Sequence, residues 1–378
     1  MKSSGSCSFV ITSGKNIFPW LLFVIIFYSS LELSLLFISL SKWPKAGKHI
    51  GNEKLLPLVV PEQDITENTT YRLQEKQNLL LFVAVLNKVT AFDRRDAVRS
   101  TWMSRCRKQN RKLACFFFTD TTESLSKVNR TRVKNEKLLH QDMLFMPYKG
   151  GNNFALRLVW MLKWAAAHYN FDFFLRIDDD HFLCLDRLVY ELPHRPRNSL
   201  YWGFIHCRKD IVRVDEGWMI LSGNLVQEVL SKVNSTLPCH PFGDQAVALW
   251  MLDSKYNVTY FYDNDRVINF ATSYDLEKYN RPDICTKYLS LHGSYPNTMK
   301  MYWNISSYIE NLLADKPTHY EIPPIPRYED KCRFSNKIFD VNKFWPQLRF
   351  NTKPCKDEPR WTNSNEEFHS RETYGEDI

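Results

Sequence analysis

Phe171-Asp172-Phe173-Phe174-Leu175-Arg176-Ile177-Asp178-Asp179-Asp180 is an apolar, aromatic-rich run that ends in three consecutive aspartates. Residues 171–177 carry the β-formers of a short, mostly buried strand. Three carboxylates therefore emerge together at a strand end, where they repel one another unless something cationic compensates. Hard oxygen donors suit a divalent ion such as Mn or Mg, and such an ion can carry a diphosphate. A solvated acidic turn is the plainer reading of an isolated triple aspartate. The surrounding sequence decides between the two.

Upstream, Leu79–Leu86 is an uninterrupted apolar run that reads as a buried strand, Phe92–Met103 reads as a helix, and Leu113–Thr119 as a second strand. Asn153–Tyr169 is helical by its length and by the spacing of Leu156, Val159, Trp160, Trp164 and Ala167; being apolar around most of its circumference, it should be packed on both sides. Downstream, Trp218–Leu221 and Val258–Tyr262 read as further strands. The alternation predicts one α/β domain of roughly 240 residues, enough for a sizeable core. No internal repeat is present. The chain has only 12 glycines in 378 residues and contains neither GxGxxG nor GxxxxGK[ST]. A nucleotide bound here would have to be held by metal and basic side chains rather than by a glycine-rich loop.

Ile17–Leu40 is apolar apart from Glu32 and long enough for one bilayer crossing. A cleaved signal peptide is the rival reading. However, the stretch exceeds a usual signal-peptide apolar region and no small-x-small site follows it. It reads as an uncleaved signal anchor, with a span shortened to Ile17–Leu31 as a variant. Lys2 and Lys15 before it, and Lys42, Lys45 and Lys48 after it, do not fix the orientation. The glycosylation sequons at Asn68, Asn129, Asn234, Asn257 and Asn304 all follow the span, which predicts that this side is luminal. Cys7 precedes the span; Cys106, Cys115, Cys184, Cys207, Cys239, Cys285, Cys332 and Cys355 follow it. These permit up to four disulfides, with the pairing open. CxxC and HExxH are absent, so zinc has no support. The net charge of +8 is spread without a basic block and is read as general surface charge; it gives no argument for nucleic acid. The organisation expected is a cytoplasmic tail (1–16), a transmembrane signal anchor (17–40), a Pro-containing stem (41–76), a globular domain (77–312) and a C-terminal extension of unassigned role (313–378).

Several stretches, in order, resemble one family. Arg94-Arg95-Asp96-Ala97-Val98-Arg99-Ser100-Thr101-Trp102 resembles the RRxAIRxTW signature of the β-1,3-glycosyltransferases of glycosyltransferase family 31. Glu136–Asp142 is similar to its E-x-x-x-x-x-D stretch, Asn153–Arg157 to NLTLK, and Ile177–Phe182 to TDDDxF. Gly217–Ser222 is similar to GGYVLS, Phe242–Val247 to the EDVxxG box, and Leu291-His292 with Met299 and Trp303 to the terminal histidine segment. Two departures stand out. Gly243 replaces the glutamate of EDVxxG, with Gln245 in place of its valine and no terminal glycine. The tract from Tyr201-Trp202-Gly203-Phe204 to Gly217 is also shorter than the family's acceptor insertion.

The resemblance implies a GT-A type, Rossmann-like nucleotide-sugar-binding domain behind the signal-anchor helix. It also implies roles. Asp180 and His292 would hold Mn2+ or Mg2+. Asp178 and Asp179 would contact the ribose or metal-bound water. Arg95, Arg99 and Arg157 would bind the donor, against the plainer reading of a solvated helix face for the first two. Trp218 would stack on an acceptor sugar, or else be core; Trp102 reads as core. Asp244 would be the base that inversion requires. The function implied is a type II Golgi β-1,3-hexosyltransferase using a UDP-sugar. UDP-galactose is favoured, and UDP-N-acetylgalactosamine and UDP-N-acetylglucosamine remain open. The acceptor would be a glycan on a glycoprotein, glycolipid or proteoglycan. The alternative is a catalytically inactive luminal chaperone or sugar-binding relative on the same fold.

Overall fold

The computed structural model describes residues 76–107, 112–151, 153–206, 212–269, 276–312, 320–332 and 352–359. The expected tail, anchor and nearly all of the stem, with Asn68, lie outside these residues, as does most of the extension. Among the described residues no helix is long and apolar enough to cross a membrane.

Strands β1 (Gln77–Asn87), β2 (Leu113–Thr119), β3 (Met143–Phe145) and β4 (Tyr169–Asp178) form the parallel half of a seven-stranded sheet of order β3-β2-β1-β4-β7-β6-β9. β7 (Arg213–Ser222) pairs antiparallel with β4, and also antiparallel with β6 (Leu200–His206), which in turn pairs parallel with β9 (Thr259–Tyr262). Helices Phe92–Ser100, Lys127–His140 and Phe154–His168 fall between the successive parallel strands. This is the doubly layered α/β arrangement that alternating strands and helices predict. The expected strand at 113–119 is found with those ends. The expected helix at 92–103 stops at Ser100 and gives way to a 3-10 turn, Trp102–Arg107.

Alternation along β4 explains the layering. Phe173, Leu175 and Ile177 enter one core with Trp102, Trp202 and Trp218, whereas Phe174 enters the opposite core with Phe82, Phe118 and Leu162. Side chains of a strand point to alternate faces, so Arg176 and Asp178 share the face of Phe174. Helix Phe154–His168 packs on that face and against helices Gly223–Lys232 and Gly243–Leu252, as its nearly all-round apolar surface requires.

A second, three-stranded sheet caps the C-terminal end of β4. It joins β5 (His181–Leu183), β10 (Val267–Ile268) and β11 (Ser290–His292) in the order β10-β11-β5. The remaining short pair, β8 (Pro238–Cys239) with β12 (Lys353–Pro354), attaches part of the C-terminal extension to the domain. Disulfides link Cys106 to Cys115, Cys184 to Cys285, and Cys239 to Cys355. Cys184 directly follows β5, and Cys285 lies shortly before β11, so that bond clamps the two paired strands of the small sheet across 101 residues of sequence. Removing a disulfide from a domain typically costs about 2–5 kcal/mol. The double variant Cys184→Ser/Cys285→Ser should therefore unfold at clearly lower denaturant in an equilibrium titration of the purified chain. An unchanged midpoint would mean that the bond does not hold the small sheet.

Candidate active site

β4 ends at Asp178, and after the turn at Asp179 and Asp180 the chain enters β5 at His181. The antiparallel register of β5 with β11 sets His181 opposite His292. Their rings stack with centroids 4.7 Å apart and planes 14° from parallel. This brings His292 Nε2 to 3.5 Å from Asp180 Oδ1, an ion pair rather than a good hydrogen bond. Gly293 takes a left-handed conformation (φ 75°), which bends the chain so that Ser294 N–H donates to the Asp180 carbonyl at 2.7 Å. Trp102, expected as core, is core; its indole N–H also donates to the His181 carbonyl at 3.0 Å.

Asp180, His181 and His292 each place one ligand atom within 4.8 Å of the others. His181 Nδ1 bonds Ser290 Oγ at 2.9 Å, while His181 Nε2 and Asp180 Oδ1 are buried with no hydrogen-bond partner. Buried polar atoms normally have partners. A carboxylate oxygen and an imidazole nitrogen left over side by side fit a divalent cation. The two ligands expected from sequence thus converge, and His181, which sequence reasoning passed over, joins them. Its signal was its place directly after the aspartates.

Charge balance around the aspartates is uneven. Arg176 Nη1 lies 3.0 Å from Asp178 Oδ2, and Arg94 Nη1 lies 3.0 Å from Asp179 Oδ1 and 3.5 Å from Asp180 Oδ2. Burial outweighs these arginines and pushes Asp178 up to about 6 and Asp179 up to about 7. Burial would also raise Asp180, but the adjacent His292 imidazole holds it well below the usual carboxylate range. Burial would lower His292, yet Asp180 overrides it and pushes the imidazole up to about 9. His181 is driven down to about 3 by burial.

Further carboxylates adjoin this centre. Asp215 Oδ2 receives hydrogen bonds from Asn269 Nδ2 at 3.0 Å and from His206 Nε2 at 2.7 Å, and Asn269 in turn offers its carbonyl to His292 Nδ1. The Glu216 carbonyl accepts from Arg176, the same guanidinium that pairs with Asp178. Glu216 Oε2 accepts the N–H of Gly243, the first residue of helix Gly243–Leu252, at 2.8 Å. Asp244, only 6% exposed, accepts from Arg213 Nη1 at 2.8 Å and from the Gln245 N–H at 2.7 Å. His206, Asp215 and Asp244 also bring ligand atoms together. There, however, the His206–Asp215 bond and the Arg213 cation already satisfy the group.

Residues 93–219 match the family model described as Galactosyltransferase. That segment is similar to the galactosyltransferase family. Beta-1,3-galactosyltransferase 6 of Mus musculus is 30% identical over 148 residues, covering 38% of this chain and 46% of that protein. UDP-GalNAc:beta-1,3-N-acetylgalactosaminyltransferase 2 of Danio rerio is 31% identical over 74 residues, 19% of this chain and 15% of that protein. The chain thus spans less than half the length of these relatives. Among solved structures, a glycosyltransferase involved in the glycosylation of the major capsid of PBCV-1 superposes with TM-score 0.36 at 12% identity, over 60% of this chain and 98% of that one. The mannosyltransferase PcManGT from Pyrobaculum calidifontis, in complex with GDP-Man and Mn2+, gives TM-score 0.35 at 10% identity, over 68% and 79%. The family match contains the three aspartates but ends before Asp244 and His292. It is the fold that brings those two to the same place.

Within the galactosyltransferase segment, the arginines expected to bind a donor do other work. Arg95 is fully buried; it forks onto Glu136 at 2.6 and 2.7 Å and donates to the carbonyls of Lys88 and Val89. Arg99 forks onto Asp142 at 2.8 Å through both Nε and Nη2. The acids at the two ends of the Glu136–Asp142 stretch therefore fasten the arginine helix to helix Lys127–His140 and to the turn before β3, and neither arginine contacts Asp178, Asp179 or Asp180 among the described residues. Arg94, missed in the sequence, does: it contacts Asp179 and Asp180 and lies 4.9 Å over the Tyr295 ring. Arg157 is buried against Asp120 at 2.6 Å and donates to the Lys149 carbonyl, with its Nε buried and unbonded. Trp218 is 1% exposed and packs edge-to-face on Trp202, so it has no face to offer a sugar. Of the described sequon asparagines, Asn234, Asn257 and Asn304 are exposed and Asn129 partly so.

Asp179, Glu216 and His292 all sit above their ordinary values, at about 7, about 8 and about 9. Between about pH 6.5 and 9 the folded state then holds more protons at these groups than the unfolded chain, so stability falls as pH rises through the window. His181, shifted downward, opposes this only near pH 6.5, where the unfolded imidazole is still partly protonated, and the three raised groups outweigh it. Thermal unfolding of the chelated protein should show a midpoint that declines from pH 6.5 to 9; a flat or rising midpoint would contradict this charge arrangement.

Proposed function

We propose that this chain is a metal-dependent, inverting hexosyltransferase that moves galactose from UDP-galactose to a glycan acceptor in β-1,3 linkage. We place its catalytic domain in the Golgi lumen behind a type II signal anchor. The observation that carries the reading is the meeting of Asp180, His181 and His292, from two distant segments, inside a galactosyltransferase-family chain and with unbonded ligand atoms left between them. The names of the matched relatives support a galactose or N-acetylgalactosamine donor, and galactose is favoured by the more extensive match.

Asp180, His181 and His292 would hold a divalent Mn or Mg ion. Bound there, such an ion offsets the negative charge of a diphosphate leaving group. Arg94, partly exposed beside Asp179 and Asp180, adds a fixed positive charge on the same side. Asp178, more exposed than Asp179, remains free to accept hydrogen bonds from a donor ribose. On the other side, one carboxylate among Asp215, Glu216 and Asp244 would take the acceptor's hydroxyl proton during attack. Exposed sequon asparagines and disulfides fit a luminal domain.

Two measurements test this. Calorimetric titration of the full-length protein should detect UDP binding with manganese present and none after chelation. Loss of an outer-sphere partner alone costs about 10–100-fold in metal affinity, so Asp180→Ala and His292→Ala should each lose at least that while remaining folded. Undiminished UDP binding in chelator would refute the metal site. Treatment of cell-expressed protein with an N-glycosidase should lower its apparent mass; no mobility change would remove the luminal placement.

A further inference from the structure

The stretch around Asp244, which resembles the EDVxxG box, has Gly243 where that box has a glutamate. The structure shows what occupies the space. A Cβ built on Gly243 would come within 2.4 Å of Glu216 Oε2. A side chain at position 243 would therefore push the Glu216 carboxylate from its present place. The Glu216 carboxylate lies against the first N–H of the helix that carries Asp244, at 2.8 Å, where a helix N-terminus favours a negative charge.

We infer that Glu216, and not Asp244, is the carboxylate that takes the acceptor proton; the assignment rests on the transferase reading above. Asp244 is poorly placed for the task. Its Oδ2 is held by the Arg213 guanidinium, its Oδ1 by the Gln245 N–H, and it is almost fully buried. Glu216 is only half-buried, and among the described residues its Oε1 accepts no hydrogen bond. Its main chain is tied to the aspartate strand through Arg176, and the next residue, Gly217, lies against the metal side. A Cβ there would meet His181 Nε2 at 2.9 Å and Asp178 Oδ2 at 3.6 Å. Glu216 thus stands between the aspartates and Asp244. Burial, aided by the charge of Asp244, pushes its carboxyl up to about 8, a proton affinity suited to a base near neutrality.

In the step, the acceptor hydroxyl oxygen forms a bond to the anomeric carbon as its proton passes to Glu216 Oε1. The bond from that carbon to the diphosphate oxygen breaks, and its electron pair leaves with UDP. Glu216 afterwards returns the proton to water. Asp244 is then a positioning residue, whose charge with Arg213 sets the field around Glu216 and whose helix end holds it.

The test compares full-length Glu216→Gln, Glu216→Ala, Asp244→Asn and the exchange variant Glu216→Ala/Gly243→Glu, measuring sugar transfer, UDP-galactose hydrolysis and manganese-dependent UDP binding. Glu216→Gln should keep UDP binding and lose about 10²–10⁴-fold in kcat, the usual contribution of a general base. Asp244→Asn should lose far less in kcat, with its effect shared by KM. The exchange variant, which returns a carboxylate to position 243, should transfer at least about tenfold faster than Glu216→Ala alone. Transfer by Glu216→Gln near the wild-type rate, or abolition by Asp244→Asn alone, overturns the assignment and leaves the transferase reading standing. A wild-type chain that binds UDP yet neither transfers nor hydrolyses overturns both.

Discussion

Everything around the site answers one constraint: Asp178, Asp179, Asp180, Asp215, Glu216 and Asp244 converge at the strand ends in a largely buried volume. Like charges in such a medium cannot all ionise without compensation. The fold supplies Arg94 to Asp179, Arg176 to Asp178, Arg213 to Asp244, and the imidazoles of His206 and His292 to Asp215 and Asp180. The compensation is incomplete in a patterned way. The acids bound to arginine or histidine on the flanks are settled, while among the described residues Asp180 Oδ1, His181 Nε2 and Glu216 Oε1 have no hydrogen-bond partner. Residual demand for positive charge is concentrated at the aspartates, and residual basicity beside it.

The small sheet makes that geometry rigid. Three residues of β5 and three of β11 would not hold a site by themselves. They are clamped by the Cys184–Cys285 bond, by ring stacking of His181 on His292, and by the N–H of Ser294 on the Asp180 carbonyl. Candidate ligands drawn from sequence positions more than a hundred apart need this kind of support, because small displacements of either would separate them.

Much of the frame was legible because it is written in local pattern. The strand ending in Asp178 and the helix around Trp160 are periodic and strongly apolar, so their place in the fold follows from burial alone. The arginines were not legible in this way. Arg94 and Arg95 are neighbours on one helix, about 100° apart around its axis. Which of them turns toward the acids is fixed by tertiary packing: Glu136 captures Arg95 and leaves Arg94 to Asp179. The family-like stretch therefore mixes residues that fasten the helix (Arg95, Arg99, Trp102) with one that reaches the site. Trp218 misled for a related reason. An aromatic beside functional residues suggests stacking, yet strand alternation directs it into the core with Trp202. His292 came from resemblance alone, since no spacing rule relates it to Asp180; the antiparallel register does.

The loss of a glutamate at position 243 looks, box by box, like decay of an active site. The coordinates give it another meaning. Gly243 leaves room for Glu216, which arrives from β7 and puts a carboxylate at the same helix end. What the chemistry requires is a carboxylate at a place, with a free oxygen and a restrained backbone, rather than a carboxylate at a position in a motif. Two features that are unremarkable singly, an acid before Gly217 and a glycine before Asp244, meet at one helix end, where a side chain at 243 would displace the Glu216 carboxylate. A glutamate at 243 with Glu216 retained would bring two carboxylates into one volume, at a cost in repulsion as well as in space. On the proposed assignment, the glycine at 243 leaves room for the carboxylate that takes the proton, so the altered box and the transferase reading agree.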